Sequence, residues 1–300
     1  MNNRTLLIIC ITLCCIINTV RSQDTNLARV EYAYIPQANS DNEYNSLRIS
    51  GNYPIKMDDK GTYLVMSFQY RLNNLLLNDD SIIVDKDGLQ EFHTIGFELG
   101  YTYKMKNNWR FGAKLGARLS SNLEGSGIDG DDFRYVGSVY FVKSYGKKTS
   151  PKSARLVLGL RYAAPASINF PLPIINYSKR FHPSWSYSIG TPKTSIKYFF
   201  NETNTLQAFI GLDRFYGNIQ NNRVFVDENG ETKTAENASM LLINSALGYE
   251  YYFTEHLLLF AYGGYTLSNE IRLRDKNQEN VLILNDRNTF YLRGGIKLKL

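Results

Sequence analysis

Residues 288–300 read NTFYLRGGIKLKL. Phe290, Leu292, Gly294, Ile296, Leu298 and Leu300 share one parity, while Thr289, Tyr291, Arg293, Gly295, Lys297 and Lys299 share the other. Successive side chains of a strand point to opposite faces, so this segment is apolar on one face and cationic on the other. In water, a terminal strand of this kind is an open edge that recruits other strands. A transmembrane β-barrel removes the edge by pairing the last strand with the first. The expectation is an all-β, antiparallel transmembrane β-barrel of 14 strands, with 12 as the alternative. Its seam joins 288–300 to 27–35.

The same alternation recurs upstream. Segments 27–35, 45–55, 62–72, 94–105, 109–119, 133–142, 155–163, 205–216, 240–253 and 257–267 each carry an apolar parity. In 109–119 the choice of face has a magnitude. A Lys or Arg facing lipid at mid-bilayer costs about 2–4 kcal/mol. Reversing this strand would expose Arg110, Lys114 and Arg118, roughly 6–12 kcal/mol if all three sat near the midplane. These cations therefore belong inside. Connections alternate between short (56–61, 106–108, 145–153, 201–204, 254–256) and long (73–90, 121–131, 217–238, 268–287). Short periplasmic turns and long external loops produce that rhythm.

The N-terminal segment sets an expected compartment. Arg4 precedes an apolar run from Thr5 to Val20, and Val20-Arg21-Ser22 offers a cleavage site. This reads as a secretory signal peptide over 1–22, followed by an outer-membrane barrel domain over 23–300. The three cysteines, Cys10, Cys14 and Cys15, all lie in the first segment, so residues 23–300 have none. Disulfides, thiolate metal sites and a catalytic Cys are excluded there. Without Arg4 and Arg21, 32 basic residues face 28 acidic ones. The mild, dispersed excess argues against a nucleic-acid partner. The 22 Tyr, 16 Phe and 22 Gly suit strands with aromatic girdles.

Residues 170–201 are interrupted by Pro171, Pro173, Pro183 and Pro192, and proline cannot donate to a central ladder. His182-Pro183-Ser184-Trp185 and 201–204 look like turns on one side. The chain must cross an even number of times between them. A short hairpin, 185–189 out and 194–200 back through Gly190-Thr191-Pro192, gives 14 strands, whereas an inward plug or loop gives 12. Phe170-Pro171-Leu172-Pro173, Tyr177, Trp185, Gly190-Thr191-Pro192, Tyr198 and the terminal strand resemble a family of Bacteroidota outer-membrane β-barrel proteins catalogued as a domain of unknown function. The resemblance spans about 27–300 and implies an outer-membrane barrel. It carries no catalytic residues.

The candidate site is the lumen. Inward parity places Arg110, Lys114, Arg118, Arg155, Arg161, Arg293 and Lys297 there against Glu98, Asp213 and Glu250. One reading is a pore or transporter for small anionic solutes. The alternative is a non-conducting structural or interaction barrel, with acids pairing bases in a filled interior. The bulky inward residues Phe92, Phe209, Tyr63 and Tyr291 favour this second reading. A lipid-active enzyme is the third, but His93, His182 and His256 lack an adjacent Ser and acid at the outer rim, so no enzyme is expected. The acidic stretch 125–132 lacks the spacing of a calcium loop, and no cofactor or metal is expected. Expected partners are outer-membrane lipid and, through strand 288–300, the barrel-assembly machinery.

Overall fold

The computed structural model describes residues 26–78, 88–125, 127–146, 153–166, 170–226 and 231–299. The signal-peptide expectation over 1–22 lies outside the described residues. The strands are β1 (Asn26–Pro36), β2 (Glu43–Lys56), β3 (Tyr63–Leu76), β4 (Glu91–Lys104), β5 (Trp109–Ser121), β6 (Phe133–Tyr145), β7 (Ala154–Ala164) and β8 (Leu172–His182). They continue as β9 (Trp185–Gly190), β10 (Lys193–Phe199), β11 (Asn204–Val226), β12 (Thr232–Tyr252), β13 (Leu257–Arg274), β14 (Asn280–Asn285) and β15 (Phe290–Lys299). β1 to β13 pair in chain order, β13 pairs with β15, and β15 pairs with β1. β14 pairs only with the last residues of β13. The wall is therefore a closed antiparallel barrel of fourteen strands, and the seam runs from Ala28↔Leu298 to Tyr34↔Leu292. The segment 185–200 is the short hairpin that this count requires.

Closure leaves no edge, and the alternation then assigns each face a solvent. On β4, Ile95, Phe97, Leu99 and Tyr101 are nearly half exposed outward, while Thr94 and Glu98 are buried inward. On β5, Leu115 is 72% exposed, and Arg110, Lys114 and Arg118 share the opposite parity. Water-soluble proteins bury their apolar residues and rarely expose a contiguous apolar patch beyond a few hundred Å². A belt of this kind needs an apolar solvent. Aromatic rings line it near the end where Asn26 and Lys299 lie, hereafter the proximal end. Tyr101, Tyr103, Phe111 and Phe141 follow one another across β4, β5 and β6, with ring centroids 6.0, 5.4 and 5.3 Å apart. Trp185, Tyr198 and Phe200 continue the row.

The wall is uneven in height. β9 and β10 have 6 and 7 residues, whereas β11, β12 and β13 have 23, 21 and 18. This corrects two expected loops. Residues 217–226 and 232–238 belong to strands β11 and β12, paired from Gly217↔Ala238 to Val226↔Thr232 around a bulge after Asn218. Within 268–287, β13 runs on to Arg274 and turns back as β14. Alternation marks only the part of a strand that meets an apolar solvent. Beyond it, polar side chains on both faces leave the backbone ladder intact.

The tall strands do not stay in the wall. Phe215, Tyr216 and Gly217 are buried in succession, as are Ala238, Ser239 and Met240. A wall strand facing solvent on one side cannot bury consecutive residues, so both faces of this leaf are covered. It leans across the distal mouth. One face packs Phe215, Ile219, Met240 and Leu242 with Ile35, Tyr44, Leu75 and Phe92 of the opposite wall. The Phe92 and Phe215 rings meet edge-on at 5.3 Å.

Candidate functional site

The long inward side chains of β4 and β5 fit because glycines face them. Arg118 lies across from Gly96, Lys114 across from Gly100, and Glu98 across from Gly116. A Cβ on Gly116 would stand 2.2 Å from the Phe97 carbonyl oxygen and 2.7 Å from the Glu98 Cγ. Only a residue without a side chain lets Glu98 lie flat there. The segments GFELG (96–100) and KLGAR (114–118) thus interlock.

The charges form three groups, each around carboxylates. In the first, Glu98 accepts from Arg118 Nη2 at 2.6 Å and from Arg161 Nη2 at 3.0 Å, with Lys114 Nζ at 3.8 Å. Lys114 also donates to Ser67 Oγ, and Ser67 donates to Asn52. In the second, Asp213 on β11 accepts from Arg48 Nη2 at 3.1 Å, Arg71 Nη1 at 3.2 Å and Arg293 Nη2 at 2.5 Å. Glu31 completes it, pairing with Arg29, with Arg48 at 3.0 Å and with Arg293 at 3.8 Å. Arg71 further donates to Ser46, Tyr44 and the Arg214 carbonyl. In the third, Glu250 accepts from Lys197 Nζ at 2.6 Å and Tyr262 Oη at 2.7 Å, with Lys297 Nζ at 3.6 Å.

These contacts locate the residues expected from sequence. Glu98, Lys114, Arg118 and Arg161 come together. Asp213 meets Arg293, and Glu250 meets Lys297. Arg110 stands apart toward the proximal end, donating to the Gly61 carbonyl beneath the Tyr63 ring. Arg155 lies on β7, in register with Ser144 and Ser178. Glu31, Arg48, Arg71 and Lys197 were missed. Their signal was the same parity: each sits between two outward apolar residues, as Arg48 does between Leu47 and Ile49.

The second group spans the barrel. Arg48 and Arg71 lie on β2 and β3, while Asp213 lies on the far side, on β11. A charged bridge and the aromatic layer beside it thus occupy the interior. Further out, the leaf is latched to the distal end of β5. Asn122 N–H donates to the Asn218 carbonyl, Gln220 N–H donates to Asn122 Oδ1, and Arg223 pairs with Glu124. Asn218 and Gln220 side chains donate to Asp132 at 2.9 and 2.6 Å. Burial works against charge on Asp132. Hydrogen bonds from Ser121, Asn218, the Asp129 N–H and Gln220 outweigh it and hold its pKa below the usual carboxylate range. The latch keeps this charge at neutral pH, and its contribution declines as pH falls below the ordinary carboxylate range and is gone once pH has fallen through the depressed value.

Two spaces remain. A polar cavity of about 210 Å³ is lined by Ser50, Asn52, Gln69, Glu98, Lys114, Arg118 and Arg161, among others. A larger apolar groove, about 920 Å³, opens on the outward face where Ala208 and Gly263 are small between Ile196, Ile210, Leu247 and Leu292. His93 is near the distal rim and shares its Nδ1 with the Tyr70 hydroxyl at 3.1 Å. Ser121, its partner across the ladder, is fully buried. Among the described residues no group of three His, Cys, Asp or Glu is placed to hold a metal.

A family model described as a domain of unknown function (DUF6268) matches residues 28–299. No curated protein matches the sequence. Among solved structures, an outer-membrane channel from Pseudomonas putida F1 is 11% identical with a TM-score of 0.40, over 93% of this chain and 99% of that one. LpxR from Salmonella typhimurium is 8% identical with a TM-score of 0.38, over 91% and 100%. Outer membrane phospholipase A from Escherichia coli is 10% identical with a TM-score of 0.38, over 90% and 92%.

Proposed function

The chain belongs to the family described as a domain of unknown function (DUF6268), and from that premise we propose that it is an integral outer-membrane barrel, closed to ions in the conformation described. Its distal leaf serves as a surface for a partner outside the cell. The observation that carries this reading is the bridge from Arg48 and Arg71 through Asp213, which crosses the lumen beneath the latched leaf. An open pore would leave that path to water. The Bacteroidota origin suggested by the motif at 170–198, export by the segment 1–22 and recognition of β15 by the barrel-assembly machinery belong to the same proposal. So does the absence of an enzymatic role: His93 is engaged with Tyr70, and the serine facing it is buried.

The pore reading retains one supporting observation, the excess of inward cations over Glu31, Glu98, Asp213 and Glu250. Planar bilayers separate the two. The folded barrel is expected to stay electrically silent in potassium chloride; anion-selective steps from the wild-type chain would replace this proposal with the pore. The membrane position has its own test. Leu115→Arg puts a cation on the outward face and is expected to cost about 2–4 kcal/mol in folding into lipid. An equal loss for Leu115→Arg in a detergent-free buffer, with the wild type soluble there, would overturn the membrane assignment.

A further inference from the structure

We propose that the polar cavity bounded by Lys114, Arg118 and Arg161 binds one small oxyanion, a carboxylate or a phosphate. Three cations converge on the single carboxylate of Glu98, which leaves two positive charges uncompensated. Arg134 and Arg214, from β6 and the back of the leaf, add to the field at Arg118 and Arg161. Arg214 stands next to Asp213, but that carboxylate is already shared by Arg48, Arg71 and Arg293. Lys114, Arg118 and Arg161 are only partly exposed, and crowding partly desolvated cations around one carboxylate carries a cost that an added anion relieves.

The donors are placed for such a ligand. Glu98 Oε1 takes one Nη2 from each arginine. Arg118 Nε is buried and has no hydrogen-bond partner. A guanidinium offers five N–H groups in a planar fork that matches carboxylate and phosphate oxygens. The Gln69 amide and the Ser50 hydroxyl supply neutral donors on the neighbouring strands β3 and β2. Glu98 shares the cavity and repels any anion, so the ligand sits against the guanidinium edges that Glu98 leaves free. Size narrows the class. A space of about 210 Å³ holds roughly seven waters at about 30 Å³ each. It lies below the roughly 300–1,000 Å³ of sites for drug-sized molecules.

The test is calorimetric titration of the folded barrel in a nonionic detergent and a chloride-free buffer, with inorganic phosphate in one arm and acetate in the other. One-to-one saturable binding is expected in at least one arm, and the arm that responds identifies the oxyanion. Arg161→Gln should weaken it tenfold or more while heat-modifiable gel migration stays as in the wild type. The same anion should raise the melting temperature of the wild type and leave that of Arg161→Gln unmoved. If Arg161→Gln does not fold, Lys114→Met is read by the same criteria. Absence of saturable heat in both arms, or wild-type affinity in the variant, overturns the proposal. Binding is measured in solution, so its outcome is separate from bilayer conductance.

Discussion

Asp213→Ala should lower the stability of the folded barrel by about 3–5 kcal/mol, the range for removing one partner of a buried ion pair. The substitution strands three guanidinium groups at once. Arg71 keeps neutral acceptors in Tyr44, Ser46 and the Arg214 carbonyl, and Arg48 and Arg293 fall back on Glu31. Glu31 already serves Arg29, so one carboxylate would face three arginines. Replacing an arginine together with the aspartate relieves the surplus. Arg71→Met with Asp213→Ala should therefore recover part of the loss, a coupling that a double-mutant cycle isolates. Urea titration of the barrel in detergent measures both. An Asp213→Ala barrel with the wild-type midpoint would mean that the bridge contributes nothing.

Cysteine labelling should show the leaf as a cover. Residues 23–300 contain no cysteine, so Ser121→Cys introduces a lone thiol. Ser121 is fully buried where β11 reaches β5, in register with Asn218. With the leaf in place, a membrane-impermeant maleimide reaches this thiol only through local opening. Excising 217–238 and joining Tyr216 to Ser239, which already face each other in the ladder, through a two-residue Asn-Gly turn removes Asn218 and Gln220 and keeps the wall. Labelling is expected to accelerate at least tenfold, equivalent to about 1.4 kcal/mol of protection. Equal rates with and without 217–238 would show that the leaf does not close over β5.

The barrel was legible because lipid and lumen impose opposite chemistries on alternate residues. The parity of 288–300 and of 94–119 places Phe97, Leu115 and Leu292 outside and Glu98, Lys114 and Arg293 inside, as the structure does. The leaf was not legible from alternation. Once β11 leaves the wall, Phe215 and Tyr216 are both buried, and a period of two carries no information where both faces are covered. The grouping of charges was illegible for a different reason. Asp213 meets Arg71 across 142 residues of sequence, and parity says which way a side chain points without saying which wall it meets.

The six-residue β9 and seven-residue β10 have a mechanical consequence for the surrounding bilayer. At about 3.3 Å per residue they reach roughly 20–23 Å along the strand, and tilt shortens their vertical reach further. A spanning strand ordinarily uses about 9–11 residues across an apolar band about 25 Å tall. Next to β9 and β10 the hydrocarbon must therefore thin, or the whole barrel must incline toward that side, at fractions of a kcal/mol per Å of mismatch. The tall β11–β13 flank imposes no such demand. The barrel thus meets its membrane asymmetrically, with a soft, compressed sector of lipid along one fixed side.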